Sequence, residues 1–191
     1  MGTGSIFGAP RARITGVVYL FYFLTAILGQ AFVSRKLDTL GDAVNLSAYG
    51  LYILLTLLFY FLFKPVNRSL SLVAAFFSLV GCTVSILDLF HRAPAHVSAL
   101  PFFGFYCLLI GALIYKSTFL PRFLGWLMVF AGIGWLAFLF PPVAEHLSLY
   151  IEILGILAEA SLMLWLLLIG VNVPRWKKLA DAATASIPPA R

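Results

Sequence analysis

Charge is what this sequence has least of. Only 10% of its 191 residues are charged, where ordinary soluble chains carry about 25%. Apolar residues make up 62% and the mean hydropathy is +1.03. There is too little polar surface here to cover a soluble globule. Acids are scarcer than bases, seven against thirteen, and the bases stand singly or in pairs beside apolar runs. No basic stripe interleaved with aromatics is present, which excludes a nucleic-acid-binding surface. Cysteine is nearly absent as well. Cys82 and Cys107 both fall within apolar runs, in no CxxC or metal-ligand spacing, and read as packing residues. Extended alternation of apolar and polar residues is missing too, which argues against a membrane β-barrel. What is left is an all-α integral membrane protein whose first partner is the lipid bilayer.

Six continuous apolar runs carry that reading, at about residues 14–33, 44–63, 69–90, 99–115, 123–140 and 147–173. Each is close to the roughly 20 residues a helix needs to cross about 30 Å of hydrocarbon. The connections are short, so the expectation is one transmembrane domain over residues 1–191, a polytopic bundle of six helices. The first run follows Arg11 and Arg13, as a signal-peptide core would. At about 20 residues it exceeds the roughly 7–15 of such a core, and it is read as a span. The amino terminus, the second and fourth connections and the carboxyl terminus hold ten Lys and Arg; the opposite side holds three, Arg35, Lys36 and Arg92. By the positive-inside rule both termini are cytoplasmic, in a bacterial-type inner (plasma) membrane. Gly104 and Gly111 are seven apart, as are Gly125 and Gly132, so spans four and five pack closely if those faces meet.

The sixth run is the unusual one, because it carries Glu152 and Glu159. Seven residues are about two helical turns, about 10.5 Å of rise, so both acids lie on nearly one face. An acid inside a membrane costs roughly 2.5–3.5 kcal/mol on insertion scales and turns toward a bundle interior or a wet cavity. Glu159 stands about 18 Å along the axis from Leu147 and is the deeper of the two. On the non-cytoplasmic side lie Asp88 and all three histidines, His91, His96 and His146. Asp88 and His91 share a helical face if span three continues that far, and Ser85 is one turn below Asp88. A bundle could gather these groups and Glu152 around an outer vestibule, with Tyr106 and Trp165 as further pocket lining.

The leading expectation is an outward-facing polar pocket, centred on Glu159 and Asp88, that binds an apolar or lipid-like small molecule. Three sharper readings stay open beside it. Glu159 and Asp88 could act as catalytic acids that protonate an apolar substrate in an isomerase or cyclase. His91, His96 and His146 could hold zinc and activate water for hydrolysis of a lipid amide or ester. A proton-coupled transporter is the third. The plainer reading makes the histidines and Glu145 solvated loop residues, with Glu159 satisfied by Ser78, Thr83, Tyr106 or another helix. Trp126, Trp176, Tyr19 and Tyr150 suit interfacial belts, Trp135 and Trp165 lie deeper, and the tail after Trp176 is read as surface-lying or disordered. Whether the chain is an enzyme, and its oligomeric state, are not written in these patterns.

Three stretches carry a resemblance. The first is Lys64-Pro65-Val66-Asn67-Arg68-Ser69-Leu70. The second runs from Cys107 through Gly111, Tyr115-Lys116-Ser117 and Phe119-Leu120-Pro121-Arg122 to Gly125. The third runs from Glu159 through Trp165 to Gly170-Val171-Asn172-Val173-Pro174-Arg175-Trp176. Taken in order they resemble the bacterial membrane family known as domain of unknown function 4386. The resemblance implies the six-helix plan and the glutamate of span six, and it implies no activity. The chain departs from the expected pattern at Tyr106, where the family is expected to place a histidine.

Overall fold

The computed structural model describes residues 9–91 and 97–185, with the side chains of residues 9–11 and 145 left aside. Seven α-helices account for nearly all of it: α1 Ala9–Ser34, α2 Asp38–Phe63, α3 Arg68–Leu89, α4 Leu100–Lys116, α5 Arg122–Leu136, α6 Pro141–Leu168 and α7 Val173–Ala185. No strand occurs among the described residues. Five helices, α1, α2, α3, α6 and α5 with its 3-10 extension Ala137–Leu139, are long and apolar enough to cross a membrane; α4 is apolar but shorter. Their outward faces are apolar as well. Phe21, Phe76, Ile133 and Ile156 are each more than half exposed, the reverse of a water-soluble surface.

Helices α1 to α6 run up and down, each against its neighbour in sequence, and α6 closes on α1 to complete a ring. Helices α4 and α5 approach backbone to backbone, and the two glycine faces, whose meeting is the condition for close packing of these spans, do meet. A Cβ built on Gly111 would stand 2.7 Å from the Gly125 carbonyl oxygen, and one on Gly132 would stand 2.8 Å from that of Gly104. These four residues let two backbones touch, which is the main source of helix attraction where lipid removes the hydrophobic drive. Between α2 and α3 the contact is polar: the Thr56 and Ser78 hydroxyls lie 2.5 Å apart, both buried. Ser78 is therefore engaged away from Glu159.

Several boundaries differ from the sequence reading, each for a local reason. Helix α2 starts at Asp38, six residues before the expected span, because the stretch read as a loop is helical and its first turn carries an acid, favourable at a positive helix end. Pro141 and Pro142, read as the stop of span five, instead form the first turn of α6, where a missing N–H does no harm. Helix α6 ends at Leu168 rather than Val173. Gly170, at φ +78°, sends its N–H back to the Trp165 carbonyl at 2.8 Å and breaks the helix. Asn172 then caps α7, its side chain accepting from the Arg175 N–H at 3.2 Å. Helix α3 ends at Leu89 and His91 sits at φ +54°, outside helical geometry. The supposed common helical face of Asp88 and His91 does not exist.

The segment after Trp176 is also more ordered than expected. Over Val173–Ala185 it is a helix docked on the bundle. The Trp176 indole is buried and donates to the Leu62 carbonyl at 2.9 Å, so it is an anchor rather than a belt residue. Arg175 donates to the Thr118 carbonyl at 3.1 Å, and the Asn172 N–H to that of Phe119 at the same distance.

Candidate functional site

Glu159 sits on the inner side of α6, about 27 Å along the axis from Pro141. Its Oε2 accepts a hydrogen bond of 2.9 Å from the Tyr19 hydroxyl on α1. Tyr19 is 2% exposed and packs edge-on against Phe59. This corrects its expected place in an interfacial belt, since the inward face of α1 turns it to the core. Below this pair the α1–α6 seam is tight. A Cβ on Gly16 would fall 2.6 Å from the Leu167 backbone nitrogen, and Leu162 and Leu166 are fully buried.

Above the pair the two helices part. A cleft of about 440 Å³ opens between them, walled on α1 by Phe23 and Ile27 and on α6 by Gly155 and Ile156. Ile27 and Ile156 are exposed on the outer surface, so the mouth of the cleft is apolar. A second cavity, of about 270 Å³, extends inward and takes lining residues from all six helices of the ring. Tyr22, Ala26, Gln30, Trp135 and Glu159 line both spaces. The inner cavity lies toward the end of the bundle that carries the α1–α2, α3–α4 and α5–α6 connections, since Gln30, Asn45, Ser85 and Trp135 are all near helix ends there.

The chemistry of the walls is specific. Tyr22 and Tyr52 meet edge to face at a centroid distance of 4.8 Å, and Tyr52 meets Phe103 in the same way at 5.3 Å. The Trp135 indole packs over Gly155, where a Cβ would come within 2.5 Å of the ring. Gly155 is one turn from Glu159, so this glycine holds the indole next to the acid. The Trp135 Nε1 and the Tyr106 hydroxyl are buried donors without a hydrogen-bond partner in the structure. No Lys, Arg or His occurs among the described residues lining either space.

The predicted site residues divide sharply on this geometry. Glu159 and Ser85 line the inner cavity, and Ser85 stands beside Tyr49, which Asp88 also reaches electrostatically. Asp88 itself is exposed at the end of α3 and lines neither space, so it does not meet Glu159. Glu152 is exposed on α6, although two turns of helix put it on nearly the face that carries Glu159. Tyr106 is buried against Tyr52, behind the cavity wall. Trp165 packs on Phe123 near the opposite end of the bundle. His91 is exposed, and so is His146, whose Nδ1 lies 3.0 Å from the Pro142 carbonyl oxygen. His96 and Glu145 lie outside what is described, His96 wholly and Glu145 in its side chain. Among the described residues no three His, Cys, Asp or Glu side chains stand close enough to hold one metal ion. Gln30, a polar group that the sequence places near the outer end of span one, lines both spaces, whereas the site roles of Tyr19, Tyr22 and Gly155 were missed. Their only signal was a tyrosine or a glycine inside an apolar run, and that signal names no face.

Residues 83–170 match the profile of a domain of unknown function, DUF4386, the family that the three stretches resemble. The match takes in the end of α3, all of α4 and α5, and α6 with Glu159. An uncharacterized protein of Archaeoglobus fulgidus is 34% identical over 83 residues, covering 40% of this chain and 51% of its own length. The chain thus spans about half of the curated relative it matches. No solved structure matches.

Proposed function

We propose that this chain is an integral membrane protein of the inner (plasma) membrane that holds an apolar or lipid-like small molecule in one laterally open pocket, with Glu159 at the floor. All six ring helices cross the bilayer in this reading. The 17 residues of α4 give about 25 Å of rise, at the short end of what spans. The excess of Lys and Arg beside the amino terminus, the α2–α3 and α4–α5 connections and α7 supports a cytoplasmic place for both termini.

One observation carries the pocket. Helices α1 and α6 touch backbone to backbone at Gly16 and part above Tyr19, leaving a carboxyl group at the base of an apolar-mouthed cleft. Concave, mostly apolar walls with a few convergent polar groups are the usual form of a small-molecule site. The two-acid catalytic reading loses its second member, since Asp88 lines neither space. The test is extraction and mass spectrometry of small molecules that purify with the protein in mild detergent, beside an Ala26→Phe variant that fills the space where cleft and cavity meet. A species enriched with the wild type and lost in the variant is expected. Identical extracts from both proteins would sink the reading.

A further inference from the structure

The geometry points to an amphiphilic organic cation as the occupant of the Glu159 pocket: an alkylammonium head in the inner cavity and an apolar tail in the α1–α6 cleft. This rests on the reading of the two spaces as a binding pocket and names the class of ligand. Three observations converge on it.

The first is an uncompensated acid. Glu159 has a neutral hydroxyl from Tyr19 as its hydrogen-bond partner, and no cationic side chain lines either space among the described residues. A carboxylate taken out of water without a counter-charge is costly, and a bound cation supplies that charge. An anionic head, by contrast, would meet the acid with nothing to offset it.

The second is the aromatic lining. Tyr22, Tyr52, Phe103 and Trp135 surround the inner cavity with ring faces and edges. Aromatic faces attract ammonium groups through their quadrupoles, most strongly for quaternary ammonium heads held in aromatic cages. Lysine or arginine would be the expected furniture of a cavity for phosphate or sulfate, and neither lines it.

The third is the division of the space. The inner cavity is the more polar part, with Asn45, Tyr49 and Ser85 in its lining alone, whereas Phe23, Ile27 and Ile156 make the cleft apolar up to the outer surface. Head and tail are thereby sorted. The unpartnered Trp135 N–H suits an acceptor atom carried next to the cationic centre, as in an amino-alcohol head.

The test is titration calorimetry of the purified full chain in maltoside micelles, with empty micelles subtracted. Three probes share one tail: hexyltrimethylammonium, 1-hexanol and hexyl sulfate. The ammonium should bind saturably and about tenfold or more tighter than the alcohol, with the sulfate weakest. Glu159→Gln should bring ammonium and alcohol level. Tyr52→Leu, which keeps the acid and opens the aromatic wall, should lower the ammonium affinity several-fold and leave the alcohol unchanged. An alcohol that binds as tightly as the ammonium would overturn the cation while leaving the pocket standing. Saturable binding of none of the three would remove pocket and cation together.

Discussion

Tyr19 and Glu159, 140 positions apart, are joined by a 2.9 Å hydrogen bond across the seam that closes the helix ring. The bond sits where α1 and α6 begin to part, so it fixes both the rotamer of the acid and the height at which the cleft starts.

Tyr19→Phe leaves that acceptor short of its donor. A hydrogen bond to a charged or strongly polar buried group is worth about 1–3 kcal/mol, so the variant should unfold several degrees lower in detergent. Glu159→Gln keeps an acceptor for the Tyr19 hydroxyl and should cost less. A larger loss for Glu159→Gln than for Tyr19→Phe in the same thermal melt would contradict this account of the pair.

The facing glycines of α4 and α5 should be far less replaceable than a glycine with open space beside it. Gly132→Ala drives a methyl against the Gly104 carbonyl and the Leu108 backbone, whereas a Cβ at Gly50 meets nothing within 4 Å. Gly50→Ala is expected to be neutral or to stabilise by up to about 1 kcal/mol through helix propensity. Thermal melts of the two variants side by side check the contrast.

Docking of α7 should depend on one indole. Trp176→Phe keeps most of the ring but loses the bond to the Leu62 carbonyl, and Trp176→Ala loses both. Amide hydrogen exchange over Val173–Ala185 should rise modestly in the first variant and strongly in the second. Unchanged exchange in both would show that Arg175 and Asn172 hold the helix alone.

Orientation is accessible to labelling. Cys82 and Cys107 are buried, so single cysteines placed at Lys64 and at Arg35 report on their own. In intact cells a membrane-impermeant maleimide should label Arg35→Cys and spare Lys64→Cys until the membrane is opened. The opposite result would invert the bundle.

The outline of this fold was legible because its signals are large and local. A run of apolar residues declares a helix, and glycines seven apart on two successive runs offered the faces on which α4 and α5 meet. Glu159 stood out for the same reason, as a charge where charge is expensive. What stayed hidden depends on rotation and closure. Nothing in the sequence says which face of α1 turns inward, so Tyr19 looked like any tyrosine in a membrane run. Its meeting with Glu159 exists because the last helix of the ring returns to the first. Asp88 and His91 failed as a pair for a different reason: α3 ends at Leu89, between them, and His91 itself sits at φ +54°, outside the helix. Pro141 and Pro142 misled because proline stops one helix and starts another equally well.

The α1–α6 seam also bears on where the proposed pocket can open. At its lower end Gly16 lies against the Leu167 backbone, with Leu162, Leu166 and Thr15 closed around it. If the space beside Glu159 is the pocket proposed above, its floor toward that end is closed, and passage along the seam to the other face would require two backbones in contact to come apart.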